Sequence, residues 1–330
     1  MTQKELMKLS LLAEIAGCYY ERGLNQNEIA DRLCISRTRV SRLLKEAQEK
    51  GIVSFCINYH YERHYILEDH LKSRYSLKEV RILNNRNFLQ DFDASTIQNA
   101  VASLAASYLM EQLHPEMIIG TSWGAMLAKV VHHLQPVSIP IQVVQLIGSV
   151  PCRVPEHTPQ AVVANLSTLF QCPGRFLNLP LFIEDDYVRN AMLKDANNKH
   201  ILNIGMFSDM VLTGISDMTS IHAQHDWLGY LTADLYQELL QKGAVGAICA
   251  RFFDRNGNEV DCRWNRSCVG ISFSRLRSVP NVVVIASGTN KVPALTYALN
   301  NNLVDTLITD GSTATAILGI RPYAGLDILS

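Results

Sequence analysis

Residues 25–51 read NQNEIADRLCISRTRVSRLLKEAQEKG, and their caps and periodicity decide how the chain begins. Asn25 is a favoured helix N-cap, and Glu28, three residues on, completes a capping box. The helix it opens carries Ile29, Ala30 and Leu33 on one face. Ser36, again a preferred cap, opens a second helix that turns Val40, Leu43, Leu44 and Ala47 inward and stops at Gly51. Two helices joined by so short a turn have helix-turn-helix geometry. Cys34 stands where such a turn usually takes glycine, because the position adopts φ > 0; a β-carbon there costs on the order of 1 kcal/mol. Upstream, Leu6, Leu9, Leu12, Ala13, Ala16 and Tyr20 recur at helical spacing, and Gly23 ends that run.

The second helix of the pair enters the major groove in this geometry, its N-terminal residues nearest the base edges. Residues 36–45 hold Arg37, Arg39, Arg42 and Lys45 and no acid, which places positive charge where phosphates are met. Ser36, Arg37, Thr38, Arg39, Ser41, Arg42 and Lys45 are therefore expected to face double-stranded DNA. Arg37 and Arg39 suit bidentate pairing with guanine, Thr38 a thymine methyl or a phosphate, and Gln26 a phosphate. The competing reading is a solvated basic helix. The net charge of −1 argues against neither, since it averages over the whole chain.

Residues 52–60 (IVSFCINYH) alternate like a strand, and 62–78 form a charged amphipathic helix, a connector and possible oligomer contact. A boundary near residue 60 divides a DNA-binding domain, 1–60, from a larger domain, 61–330. In the larger part strands alternate with helices: VRIL (80–83), MIIG (117–120), IQVVQLIG (141–148), DMVLTGI (209–215), AVGAICARFF (244–253), NVVVIAS (281–287) and DTLIT (305–309), with helices at about 95–112 and 125–134. Runs apolar on both faces predict an α/β fold with a Rossmann-like, mostly parallel sheet covered by helices.

The strand ending in Gly120-Thr121-Ser122-Trp123-Gly124 runs into a helix, which aims backbone N–H groups and hydroxyls at an anion. Gly148-Ser149, Gly214-Ile215-Ser216, Ser287-Gly288-Thr289-Asn290-Lys291 and Asp310-Gly311-Ser312-Thr313 follow other strands in the same style, and Thr158-Pro159 opens a further helix. Loops beyond the carboxyl ends of such strands converge on one crevice, where Lys291 offers a point charge for a phosphate. A small molecule bearing a phosphate is the occupant these loops suit.

Composition excludes other classes. With 48% hydrophobic and 18% charged residues the chain is neither disordered nor membrane-spanning, and no apolar run reaches the roughly 18 residues of a membrane helix. The N-terminus, MTQKELMKLS, lacks a signal-peptide pattern, so the expected location is the cytoplasm. The eight cysteines are scattered without a CxxC, which predicts reduced, apolar thiols and no metal site; no cofactor motif is present. Asp217, Asp254, His222 and Asp310 are available as acids or bases, but no spacing pairs them, so no enzyme is expected. Two rivals stay open: a sugar-phosphate isomerase or deaminase with an N-terminal extension, and a regulator whose pocket has lost its ligand.

Over nearly its full length the chain resembles SorC/DeoR-type sugar-responsive bacterial transcriptional regulators. YYERGLNQNEIADRLCISRTRVSRLLKEAQEKGIV (19–53) is similar to the family's helix-turn-helix. IIGTSWG (118–124), VVQLIGS (143–149), GAVGAICARFFDRNG (243–257), IASGTNKVPAL (285–295) and LITDGSTA (307–314) follow its effector-domain signatures in order. The resemblance implies a fold like glucosamine-phosphate deaminases and ribose-phosphate isomerases without their activity, a phosphorylated sugar effector met by Gly120, Thr121, Ser122, Gly148, Ser149, Gly288, Thr289 and Lys291 and controlling a carbohydrate-use operon, and a homo-oligomer, dimer or tetramer, on operator DNA. The chain departs from the family pattern at Ala247, where an acidic residue is common, at Ile147, often polar or basic, and at Ser149, often glycine.

Overall fold

The computed structural model describes residues 3–53, 61–84, 93–223 and 230–319. The chain falls into two units, Met1–Asn58 and Tyr59–Ser330.

In the first unit, α1 (Gln3–Ala16) runs into a widened π-helical turn, Gly17–Glu21, which Gly23 ends at φ +69°. Helices α2 (Gln26–Leu33) and α3 (Arg37–Glu49) follow. Ile15, Cys18, Ile29, Ala30, Val40 and Leu44 form one small core, and Leu12, Ala16 and Ala47 continue it. Ile52 and Val53 pack beside that second cluster; the rest of the strand expected over 52–60 lies outside the described residues.

The second unit begins with α4 (Tyr65–Tyr75), β1 (Glu79–Leu83), α5 (Ala94–Gln112), β2 (Ile118–Thr121), α6 (Ala125–His133) and β3 (Gln142–Gln145). Next come α7 (Pro159–Phe170), β4 (Gly174–Arg175), α8 (Asp186–Lys194), α9 (Ala196–Gly205), β5 (Met210–Thr213) and β6 (Ile215–Asp217). The chain continues through α10 (Met218–Ala223), α11 (Ala233–Gln241), β7 (Gly246–Ile248), β8 (Arg251–Phe253), α12 (Arg263–Ser267) and α13 (Phe273–Leu276). It closes with β9 (Asn281–Ile285), α14 (Val292–Asn300), β10 (Thr306–Asp310) and α15 (Gly311–Leu318).

Seven strands pair in the order β1-β10-β9-β5-β2-β3-β4, every described pairing parallel. Alternate residues of each strand enter opposite layers, as the two-residue period of a strand requires. Val282 and Val284 join α4, α14 and α15 on one face, while Val283 and Ile285 join α5, α6 and α7 on the other. Covering both faces is what makes these strands read as unbroken apolar runs.

Several expected elements differ. AVGAICARFF is not one strand: β7 and β8 are antiparallel arms of a hairpin, and with β6 they form a separate three-stranded sheet. The hairpin turns at Cys249 (φ 48°) and Ala250 (φ 62°), a primed turn built without the glycine or asparagine that normally announces one. DMVLTGI divides at Gly214 into β5 and β6, which belong to different sheets. IQVVQLIG is regular only over Gln142–Gln145; Ile147 and Ser149 then make isolated bridges to Gly270 and Pro180. The helix expected over 62–78 spans Tyr65–Tyr75 and ends where Ser76 turns left-handed at φ 53°. Ahead of it, Arg63 bridges antiparallel to Leu83 at the end of β1, and its guanidinium meets Glu68 at 2.7 Å.

Candidate functional site: a DNA-reading head and an effector cavity

The head is fixed by its caps. Asn25 Oδ1 accepts from the N–H groups of Asn27 (3.0 Å) and Glu28 (3.1 Å), and Glu28 Oε2 accepts from Asn25 N–H (2.7 Å). Ser36 Oγ accepts from Arg39 N–H at 3.3 Å and from the Thr38 hydroxyl at 3.2 Å. The turn between the helices is closed by Ile35 N–H on the Ala30 carbonyl (3.0 Å), with Cys34 left-handed at φ 52°. Replacing Cys34 by glycine is therefore expected to stabilise the head by about 1 kcal/mol, read as a rise in the thermal midpoint.

Arg37, Thr38, Arg39, Ser41, Arg42 and Lys45 are exposed on α3, opposite buried Val40, Leu44 and Ala47. Among the described residues, no ion pair engages Arg37, Arg39 or Arg42; Lys45 lies 3.9 Å from Glu49. The face carries unspent cations and donors. Gln26 is half-buried at the start of α2. Ser36 is committed to its cap, so its side chain serves the helix before any ligand.

The second site arises at the carboxyl ends of β2 and β5. These neighbours send the chain to opposite layers: β2 leads into α6, which packs with α5 and α7, and β5 leads into β6 and the small sheet on the other face. A crevice opens where adjacent strands diverge in this way. Here it is a cavity of about 110 Å³ lined by residues 122–126, 213–216, Ala247, Cys249, Ala250 and Lys291.

Ser122 is buried and donates to Thr213 Oγ1 at 3.0 Å. Helix α6 starts at Gly124 (φ 110°) with no side-chain cap, which leaves its first N–H groups beside the cavity. Lys291 closes a short 3₁₀ turn, Thr289–Lys291, and Nζ donates to the Ile215 carbonyl at 3.1 Å. Burial pushes the Lys291 ammonium below its ordinary value, and the Asp217 carboxylate partly opposes that. The loop before it is pinned by Gly288 N–H, which donates to Thr313 Oγ1 (2.9 Å) and Asp310 Oδ2 (3.3 Å).

Of the residues expected at this site, Ser122 and Lys291 line the cavity. Gly288 and the exposed Thr289 shape the loop that presents Lys291. Thr121 is buried beneath Ser122, its Oγ1 without a partner. Gly120, Gly148 and Ser149 are outside the lining. A β-carbon on Gly120 would sit 2.6 Å from the Leu146 side chain, and one on Gly148 would sit 2.4 Å from the Pro180 carbonyl. Both glycines serve close packing. Ser149 is engaged by the Gln160 amide and by backbone pairing across to Leu179 and Leu181. Ile147 is fully buried in the core.

Ala125, Met126, Thr213, Cys249 and Ala250 are the lining residues that sequence reasoning missed. The hairpin hides the last two. Its turn is held by the Trp264 indole, which donates to the Ala250 carbonyl at 2.8 Å, and by the buried Arg251 guanidinium. Among the described residues, no helix is long and apolar enough to cross a membrane, and no cluster of ligands is placed to hold a metal ion.

A helix-turn-helix head joined to an α/β unit with a basic crevice at its topological switch point defines a class: DNA-binding proteins with a small-molecule domain. Comparison with known proteins is specific. Residues 59–319 match the family model described as "Putative sugar-binding domain", and residues 13–50 match that of sigma-70, region 4. The deoxyribonucleoside regulator of Bacillus subtilis is 30% identical over 313 residues, covering 94% of this chain and 98% of that protein. The sorbitol operon regulator of Klebsiella pneumoniae is 28% identical with the same coverage. The crystal structure of full-length SorC from Klebsiella pneumoniae matches with a TM-score of 0.69 at 27% identity, over 94% of this chain and 99% of that one. The chain belongs to the SorC/DeoR family of sugar-binding transcriptional regulators.

Proposed function

We propose that this regulator occupies operator DNA of a carbohydrate-use operon through α3 and is controlled by a phosphorylated sugar in the β2–β5 cavity. The observation that carries the reading is the pairing, across one small cavity, of an uncapped helix N-terminus with a half-buried lysine. Both groups favour an anion, and the relatives are named as regulators of sorbitol and deoxyribonucleoside use. Lys291 makes the direct contact, presented by the Gly288–Thr289 loop, and Ser122 reaches the ligand by turning its hydroxyl away from Thr213. Thr121, Gly120, Gly148 and Ser149 act from behind by packing.

Among the described residues, no carboxylate or imidazole lines the cavity, and the relatives are named as regulators; both support a switch rather than an enzyme. Its place is the cytoplasm, where operator and phosphosugars are found together. It works as a homo-oligomer, because paired heads read half-sites one helical turn, or multiples of it, apart.

On DNA, Gln26, Ser41, Arg42 and Lys45 meet phosphates, while Arg37, Thr38 and Arg39 approach base edges. Ser36 orients the helix. Arg37→Ala is expected to cost about 1–3 kcal/mol and to relax base preference at one operator position. Equal weakening on every sequence would make Arg37 a phosphate contact.

The test of the cavity is a thermal-shift and calorimetric screen against phosphosugars, their unphosphorylated counterparts and inorganic phosphate. A phosphosugar at a hundred times its Kd should add about 2.7 kcal/mol; stabilisation by unphosphorylated sugars alone would refute the phosphate site. The pH dependence follows from Lys291. A phosphate ester becomes a dianion as pH rises through about 6 and needs the ammonium, so at higher pH affinity should fall as pH rises through a value below the ordinary 10.5. The unliganded protein has the opposite sign. Its Lys291 holds a proton less tightly than in the unfolded chain, so stability rises with pH through that same interval.

A further inference from the structure

We infer that a short strap, residues 61–64, clamped to the sheet by Arg63 and Glu68, is the element through which the occupied cavity acts on the DNA-reading head. This rests on the reading above of a ligand-controlled regulator and concerns how its two ends are coupled. The larger unit begins at Tyr59, so every covalent path from its sheet to the head passes through the strap. Strand β1 forms one edge of the seven-stranded sheet, and the strap lies antiparallel along it. His64 N–H donates to the Ile82 carbonyl (2.9 Å) and Asn84 N–H to the Glu62 carbonyl (2.8 Å), on either side of the Arg63–Leu83 bridge.

The clamp is one carboxylate. Glu68, in the first turn of α4, is 4% exposed. Its Oε1 accepts from Ile82 N–H (2.7 Å) and from Arg63 Nε (3.0 Å), and its Oε2 accepts from Arg63 Nη2 (2.7 Å). A buried carboxylate needs a charged partner, and the partner here sits on the strap, gripping both oxygens as the guanidinium fork allows. Glu68 thus serves the strand edge and the strap together. A strap that left β1 would leave this buried charge with the Ile82 amide alone, so the strap is either seated or released.

Both supports of the strap lead back to the residue that pins the lysine loop. Asp310, buried, ends β10 and caps α15. Its Oδ2 accepts from Gly288 N–H (3.3 Å) and from the Thr313 hydroxyl (2.6 Å), and Thr313 Oγ1 also accepts from Gly288 N–H (2.9 Å). Gly288 opens the turn that carries Lys291 to the cavity. On one route Asp310 is in register with Leu83 of β1, and Leu83 bridges to Arg63. Two strand spacings, about 10 Å, separate pin and strap. On the other route α15 packs against α4, whose first residue follows His64 and whose last turn reaches α15 through Arg74 Nη1 on the Leu318 carbonyl (3.1 Å). A phosphate drawn to Lys291 pulls on the Gly288 loop, and Asp310 passes that pull to both supports; packed elements turn such small shifts into discrete rearrangements.

The experiment titrates full-length wild type, Arg63→Gln and Glu68→Gln onto operator DNA selected in vitro. Each titration is run with and without an excess of ribose 5-phosphate, glucose 6-phosphate, sorbitol 6-phosphate or inorganic phosphate. In the wild type one of these should change the Kd for DNA by about fivefold or more, and in both variants that change should fall below about twofold. Calorimetry should give that compound the same affinity, within about twofold, for all three proteins. Variants that respond as the wild type does overturn the inference and leave the switch standing. Variants that lose the compound itself also overturn it, because the pair then serves the fold. Should the variants fail to fold, hydrogen–deuterium exchange on the wild type decides. The His64, Ile82 and Asn84 amides should change protection when the compound binds, and unchanged exchange at all three overturns the inference. A wild type whose DNA affinity no member of the panel moves overturns both readings.

Discussion

Arg251→Met is expected to destabilise the larger unit by about 3–5 kcal/mol, the range for breaking a buried, fully engaged charge. Arg251 is a buried residue on β8, and its guanidinium donates to the carbonyls of Ile271 (2.8 Å), Asn265 (2.9 Å), Cys268 (3.2 Å) and Gly270 (3.2 Å), and to Glu259 (3.1 Å). Methionine fills much of the volume but leaves these acceptors unpaired, at about 1–3 kcal/mol for each that water cannot reach. The effect reaches the cavity because Arg251 follows the strained pair Cys249 and Ala250, which lines it. Two non-glycine residues at positive φ cost roughly 1–2 kcal/mol each, and the surrounding bonds hold them there. Chemical denaturation measures the loss. A change under 1 kcal/mol would mean that the carbonyls find other partners.

Lys291→Met should weaken phosphosugar binding by about a hundredfold, as expected for losing a charge-assisted hydrogen bond worth some 1.5–3 kcal/mol. Stability should respond differently. Burial already disfavours the ammonium, and Asp217 keeps its bonds to Ser220 and Asn290, so the unliganded variant should be as stable as the parent or more so. Calorimetry and thermal denaturation on the same preparation separate the two effects. Unfolding together with loss of binding would assign Lys291 to the fold instead of the ligand.

The sequence made some features plain because their chemistry is local. Asn25, Glu28 and Ser36 cap where they stand, and Cys34 adopts the left-handed turn that its position demanded. The parallel strands were legible because two-sided burial leaves runs such as VVVI without polar residues. Elsewhere the signal was ambiguous. Gly120 and Gly148 look like ligand-loop glycines, yet each answers to a packing neighbour, Leu146 and Pro180, that only the fold supplies. The β7–β8 hairpin was invisible because Cys249 and Ala250 lack turn chemistry; Arg251 imposes it together with Trp264 and Asn265, which come from α12, further along the chain. Asn265 Nδ2 donates to the Phe252 carbonyl (2.7 Å) and its Oδ1 accepts from Phe252 N–H (3.0 Å), standing in for a neighbouring strand. Lys291 lies at the cavity because it follows the Gly288 loop at the carboxyl end of β9.

Control can act only through different affinities of the ligand for DNA-competent and incompetent states. The most direct measurement is fluorescence anisotropy of operator DNA, chosen by in vitro selection, titrated with full-length protein in the presence and absence of the phosphosugar that stabilises it. The account predicts selective binding whose Kd changes by fivefold or more with the sugar, in line with allosteric couplings of about 1–3 kcal/mol, and no change with Lys291→Met. Binding without sequence preference, or a Kd that the sugar leaves unmoved in the wild-type protein, would contradict it.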